Sequence, residues 1–263
     1  MAFSLEKTDL GIVSKMCETH GNYESRGERI NLGRGLEHWT SCPGCKLDAE
    51  VRKQELHDAK VSEEAKARIE RMMMQSAIPQ RFVGRTFQNW RASTPEQEKA
   101  FKICLGFATN FESHLADGTS LVFSGAAGTG KSHLAAAILQ EIMPRHVGVY
   151  TTFMGMIRLI RETWRHDSTR SESQVLQELG SLPLLVIDEI GVQYGTEAEH
   201  TLLFEVMDRR YRDQKPSILM TNQDKDGFRK FVGDRVYDRM TETARWVSFS
   251  WESYRAKART EVY

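Results

Sequence analysis

The residues Gly125, Ala126, Ala127, Gly128, Thr129, Gly130, Lys131 and Ser132 match G-x-x-x-x-G-K-[ST] at every fixed position. That pattern serves the binding of a nucleoside triphosphate. Its glycines let the backbone curl so that successive N–H groups point at a β-phosphate, and a helix starting near Lys131 adds its positive end. Lys131 then neutralises the β and γ oxygens, and the Ser132 hydroxyl takes one Mg²⁺ position. A pair of acids, Asp188 and Glu189, closes the apolar run Leu184-Leu-Val-Ile. At the carboxyl end of a buried parallel strand, Asp188 orients Mg²⁺ through its water shell and Glu189 polarises the attacking water. Asn222 ends the run Ser217-Ile-Leu-Met-Thr, where a side-chain amide suits holding that water. The expected cofactors of this set are ATP and Mg²⁺.

These groups need strands and helices in a definite order. Leu121-Val-Phe reads as the strand before the loop and Leu134-Ala-Ala-Ala-Ile as the helix after it. Ser93-Thr-Pro-Glu starts an earlier helix, and its apolar spacing through Ala100, Phe101, Ile103, Cys104, Phe107, Ala108 and Phe111 makes Cys104 a core thiol. Val147-Gly-Val-Tyr-Thr and Trp246-Val-Ser-Phe-Ser-Trp read as strands, and Glu197 to Arg212 as a helix. Alternation of this kind predicts a three-layer α/β ATPase with a mostly parallel sheet over residues 78–263. Met154 to Arg165 reads as one helix, with Ile157, Ile160 and Trp164 on one stripe and Arg158, Arg161 and Arg165 on the next. An aromatic beside three guanidiniums suits single-stranded DNA; a solvated arginine face beside a core tryptophan is the competing reading. Arg235 and Arg239 share a helix face. One of them can reach a neighbouring subunit's γ-phosphate, or both can pair with Asp234 and Asp238.

Upstream, Cys17-Glu-Thr-His20 and Cys42-Pro-Gly-Cys45 each have the spacing of a metal knuckle, in which a tight turn brings two ligands to one tetrahedral ion. Cys17, His20, Cys42 and Cys45 leave no open position on Zn²⁺, so a structural zinc module is expected over residues 1–50, with His38 a competing fourth ligand. Residues 51–77 read as a connecting helix rich in opposite charges at i,i+3 and i,i+4, ending near the Met72-Met73-Met74 run and Pro79.

Lysine plus arginine equals aspartate plus glutamate at 36 each in 263 residues, so no overall field drives binding to nucleic acid or membrane, and any basic surface is local. No apolar run approaches a membrane span, and the cysteines do not resemble an oxidised framework, which together point to the cytoplasm.

The phosphate loop, Leu184 to Val192, Met220-Thr-Asn222, Gly233 to Met240 and Trp251-Glu-Ser-Tyr-Arg255 together resemble the DnaC family of replicative-helicase loaders, phage-encoded relatives included. The resemblance covers about residues 78–263. It implies an AAA+ fold that assembles head to tail, binds single-stranded DNA and opens the hexameric helicase ring during replication initiation. It assigns Lys131, Ser132, Asp188 and Glu189 to nucleotide and Mg²⁺, Asn222 to sensor 1 and Arg239 to the arginine finger, with Arg235 a second candidate. It also adds weight to DNA contacts at Arg158, Arg161, Trp164 and Arg165. The cysteine-bearing N-terminal part departs from the family's helical helicase-binding segment, so the helicase contact falls to residues 1–77 without residue-by-residue support. The core is also similar to IstB, a transposition helper ATPase whose partner is a transposase. A contrasting reading, a zinc-dependent adaptor that uses ATP only as a conformational ligand, is opposed by the acids and finger candidates, which fit slow hydrolysis dependent on DNA and assembly.

Overall fold

The computed structural model describes residues 7–32, 34–54, 76–143, 145–192 and 195–254. The chain divides into two compact units, Met1–Ala67 and Arg68–Tyr263.

In the first unit, β1 (Lys7–Cys17), β2 (Gly21–Leu32) and β3 (Arg34–Trp39) form an antiparallel meander, followed by a helix over residues 43–54 (α1). Gly11, at φ +82°, lies where the β1–β2 register shifts. Gly27 faces Trp39 across the ladder, and a Cβ there would meet the indole at 2.8 Å, so the ring lies flat on a glycine. The expected connecting helix begins at residue 43 rather than 51, which puts the second cysteine pair at its first turn; residues 55–75, including the methionine run, lie outside the described residues.

The second unit carries a five-stranded, fully parallel sheet in the order β5-β6-β7-β4-β8: β4 (Ser120–Gly125), β5 (Gly148–Thr152), β6 (Leu184–Ile190), β7 (Ser217–Thr221) and β8 (Ala244–Phe249). Helices cover both faces, as a parallel sheet requires. On one face α2 (Pro95–Thr109), α3 (Phe111–Asp117) and α4 (Lys131–Ile142) pack on Leu121, Phe123, Val186 and Met220. On the other, α5 (Phe153–Arg161), α6 (Glu172–Ser181), α7 (Glu197–Arg212), α8 (Lys225–Val232) and α9 (Asp234–Thr243) pack on Val122, Leu185, Ile187 and Leu219. Cys104 is fully buried, as expected.

Local chemistry explains the boundaries. The Thr94 hydroxyl caps α2 by accepting from Gln97 N, and Thr196 with Glu199 forms a capping box on α7. Two expectations need correction. The helix begun at Phe153 ends at Arg161 and gives way to a 3₁₀ turn over Glu162–Trp164, so Trp164 leaves the Ile157–Ile160 stripe and is 57% exposed rather than part of the core. Arg235 and Arg239 do share α9, but the ion pairs run elsewhere: Asp234 pairs with Arg229, and Arg239 with Asp208.

Candidate functional site

The phosphate loop joins β4, an interior strand between β7 and β8, to the first turn of α4. Gly128 and Gly130 hold φ +82° and +98°, a region closed to most side chains, and a Cβ on Gly130 would meet the Trp90 indole at 2.6 Å. The Thr129 hydroxyl donates to Ala126 O at 2.8 Å, tightening the turn. Lys131 is buried and folds back across the loop, its ammonium donating to Gly125 O, to Ala126 O at 2.9 Å and to Asn222 Oδ1 at 2.9 Å. Asn222 follows directly on β7, next to β4 in the sheet, and so meets a lysine distant in sequence.

Asp188 lies on β6, on the far side of β7. Its Oδ2 accepts from Ser132 Oγ at 3.2 Å and from the Tyr150 hydroxyl. Its Oδ1 accepts from the backbone N–H of Glu189 at 2.7 Å. The β6–β7 register shifts between Ile187 and Ile190, and Glu189 takes φ +61° there, so the bulge turns the Glu189 side chain out of the ladder and into solvent. Burial, then the adjacent Asp188 carboxylate, push the Tyr150 phenol far above its ordinary range, so it stays protonated and donates. Lys131, Ser132, Asp188 and Asn222 are thus brought together at the carboxyl ends of adjacent strands, with Glu189 at the rim.

The metal-ligand types converge separately, in the first unit. One ligand atom from each of Cys17, His20, Cys42 and Cys45 lies within 4.8 Å of every other. The Cys17 and Cys45 sulfurs are 3.4 Å apart, and His20 Nδ1 is 3.5 Å from Cys45 Sγ. Cys17 ends β1, His20 sits in the turn before Gly21 at φ +76°, and Cys45 falls on the first turn of α1. A Cβ on Gly44 would meet the His20 ring at 2.6 Å, so the second pair closes on the first only with glycine there. Backbone N–H groups of His20 and Thr19 pull the Cys17 thiol down to about 6. His20 Nε2 lies 3.1 Å from Asp48 Oδ2, a carboxylate that fixes the ring and leaves Nδ1 facing the sulfurs. His38 is exposed on β3 and outside the cluster.

The model of the IstB-like ATP-binding protein family matches residues 48–262. The chain belongs to that family. The replicative helicase loader DnaC of Escherichia coli K12 is 36% identical over 180 residues, spanning 68% of this chain and 72% of DnaC. A crystal structure of the DnaC helicase loader aligns with TM-score 0.59 at 20% identity, over 65% of this chain and 99% of that one. The replication initiator DnaA bound to AMPPCP and single-stranded DNA aligns with TM-score 0.57 at 19% identity, over 71% of this chain and 55% of its own. The α/β sandwich of residues 78–254 is therefore the AAA+ fold expected of an IstB/DnaC-family protein.

Other residues singled out in this IstB/DnaC-family chain fall in two further places. Arg158 is exposed; Arg161 pairs with the buried Glu199 at 2.9 Å and lies over the Trp164 ring at 6.0 Å; the Trp164 N–H donates to Glu172; and Arg165 pairs with Asp167 at 3.1 Å. On α9, Arg239 is held by Asp208 and lies between the Phe204 and Tyr211 rings at 5.3 and 5.2 Å, whereas Arg235 is exposed over Phe204 at 5.6 Å. Among the described residues, neither arginine bonds to the phosphate loop of its own chain. Sequence reasoning missed Tyr150, Asp48 and the loop contacts of Trp90. Asp48, one turn after Cys45 on a helix, was recoverable from i,i+3 spacing; Tyr150 and Trp90 carry no local signal.

Proposed function

We infer that this chain is an ATP-dependent loader of the replicative DNA helicase. The observation that carries the reading is the 36% identity to a replicative helicase loader across 68% of the chain, with Lys131 and Ser132 of the phosphate loop meeting Asn222 and Asp188 in one cluster. The transposition-helper alternative is the less favoured, because replicative helicase loaders of Escherichia coli and Buchnera aphidicola are 36% and 30% identical to this chain.

The donor set fits ATP and Mg²⁺. Lys131 would neutralise the triphosphate, the loop N–H groups of residues 125–132 would bind the β-phosphate, and Ser132 with Asp188 would hold the metal. Glu189 takes the proton of the attacking water and Asn222 positions that water. The metal, when bound, stabilises charge on the phosphoryl oxygens. Hydrolysis is slow and rises on DNA and on head-to-tail assembly, because an arginine from the neighbour completes the site. The resemblance favours Arg239 for that role, and the exposure of Arg235 supports it as the second candidate.

Zn²⁺ at Cys17, His20, Cys42 and Cys45 is supported by the donor set, by the mutual distances and by the Asp48 carboxylate behind His20. The module and α1, within residues 1–77, form the helicase-docking part. Exposed Ile12, Val13 and Met16 on β1, with Leu47 and Val51 at i,i+4 on α1, support that assignment. Single-stranded DNA runs along Arg158, Arg161, Trp164 and Arg165, where the exposed indole offers a stacking face.

The test uses E189Q. This variant should bind ATP as the parent does, hydrolyse it at least about a hundredfold more slowly, and capture the replicative helicase from a bacterial lysate containing ATP and Mg²⁺. Parental hydrolysis would remove Glu189 as the base. Recovery of a transposase instead of a ring helicase would replace the loader reading with the transposition helper.

A further inference from the structure

Beyond β8 the chain returns to the phosphate loop. Phe249 is the register partner of Gly125, and a Cβ on Gly125 would come 2.2 Å from Phe249 O, so the loop's first residue is pressed against the end of β8. Trp251 packs against Phe249 with ring centres 5.0 Å apart and planes tilted by 43°, and its indole N–H donates to Thr129 O at 2.9 Å. The backbone N–H of Tyr254 donates to Gly128 O at 2.9 Å. The Tyr254 side chain is 69% exposed, so its contribution here is its main chain.

We propose that Trp251 and the backbone of Tyr254 are positioning groups that hold the phosphate loop in its anion-binding shape. A trans peptide is planar, with its C=O and N–H pointing in opposite directions. The carbonyl of Gly128 shares a peptide unit with the N–H of Thr129, and the carbonyl of Thr129 shares one with the N–H of Gly130. Tying those two carbonyls outward to residues 251–254 therefore turns the next two N–H groups inward, towards the β-phosphate position. Because Gly128 and Gly130 are the loop's most permissive residues, this stretch would otherwise sample flipped peptides that present oxygen to an anion. In this role Trp251 and Tyr254 act through the loop, by their hydrogen bonds to its carbonyls.

The inference rests on the reading of residues 125–132 as the nucleotide loop, and the experiment separates the two. ADP and AMP affinities of the full chain are measured by competition with a fluorescent ADP for the parent, W251F, Y254A and Y254P. W251F keeps an aromatic ring on Phe249 and loses the donor; Y254P removes the backbone N–H that Y254A retains. W251F should weaken ADP about fivefold, the worth of one net hydrogen bond. Y254P should bind ADP about fivefold more weakly than Y254A by the same measure. The ratio of ADP to AMP affinity should fall with it, because AMP lacks the β-phosphate; mere loosening of the fold would weaken both ligands alike. A parent that bound no ADP would overturn the nucleotide loop itself. A parent that bound ADP with W251F and Y254P unchanged, or with the ADP to AMP ratio preserved, would overturn the positioning role alone.

Discussion

At the scale of single residues, the way Asp188 is held bears on the Mg²⁺ site proposed for it. Its Oδ2 receives both Ser132 and the Tyr150 hydroxyl, and Tyr150 is only 3% exposed. Removing that hydroxyl in Y150F leaves a carboxylate short of one donor in a half-buried setting. Thermal unfolding should report a loss of about 1.5–3 kcal/mol, the range for a hydrogen bond to a charged group, and the Mg²⁺ needed for half-maximal ATP hydrolysis should rise several-fold. The sign of the pH dependence follows from the raised phenol pKa: the contribution is complete below the unfolded value near 10 and declines only above it. The gap between parent and Y150F should therefore be constant from pH 6 to 9; a gap that closed in that window would mean that Tyr150 titrates there. The loop residues were legible in the sequence because phosphate chemistry dictates each fixed position. Tyr150 was not, since its pairing with Asp188 arises only when β5 and β6 align in parallel, with Thr152 opposite Asp188.

At the scale of elements, one side chain ties α6, α7 and β7 together. Arg210, on α7, is 1% exposed, and among the described residues no acidic side chain accepts from its guanidinium. It donates to Leu179 O at 2.7 Å and Leu182 O at 3.0 Å at the end of α6, to Pro216 O, and to Ser217 Oγ at 2.8 Å. The carbonyl end of α6 supplies the partial negative charge that tolerates it, while burial still pulls its pKa down to about 9. R210M fills much of the volume but orphans several buried carbonyls, so urea unfolding should show a loss of at least about 3 kcal/mol. A loss under about 1 kcal/mol would mean that water replaces the guanidinium. The elements themselves were unevenly visible. Helix α7 reads from the sequence over Glu197 to Arg212, as it is found, and β6 is marked by its continuous apolar run Leu184-Leu-Val-Ile. Helix α6 carries a capping box at Ser171 and Gln174 that would have revealed it, whereas Gly227 in the first turn of α8 masks its helical character. Strands β1 and β2 are polar, bulged at Gly11 and short of alternation, so no period marks them.

At the scale of the whole molecule, the two units are stabilised by different physics. The second has apolar clusters on both faces of its sheet. In the first, Cys42 is the one buried apolar side chain among the described residues, with Ser25 the buried polar one, its hydroxyl donating to Thr40 O at 2.7 Å. A three-stranded meander with so little buried surface cannot offset its ordering entropy alone. The proposed zinc at Cys17, His20, Cys42 and Cys45 would supply what is missing, a structural site being worth about 10–16 kcal/mol in small modules. The purified chain should therefore carry one zinc per molecule by elemental analysis. Stripping it with a strong chelator, or substituting C42S, should abolish amide-exchange protection in β1 and β2, while ADP affinity at the phosphate loop, which has its own core, changes less than about twofold. Retained protection without zinc would show that the meander folds on β-pairing alone and that the Cys₃His cluster is incidental. Loss of ADP affinity together with the metal would show that the two units are energetically coupled, which their separate cores argue against.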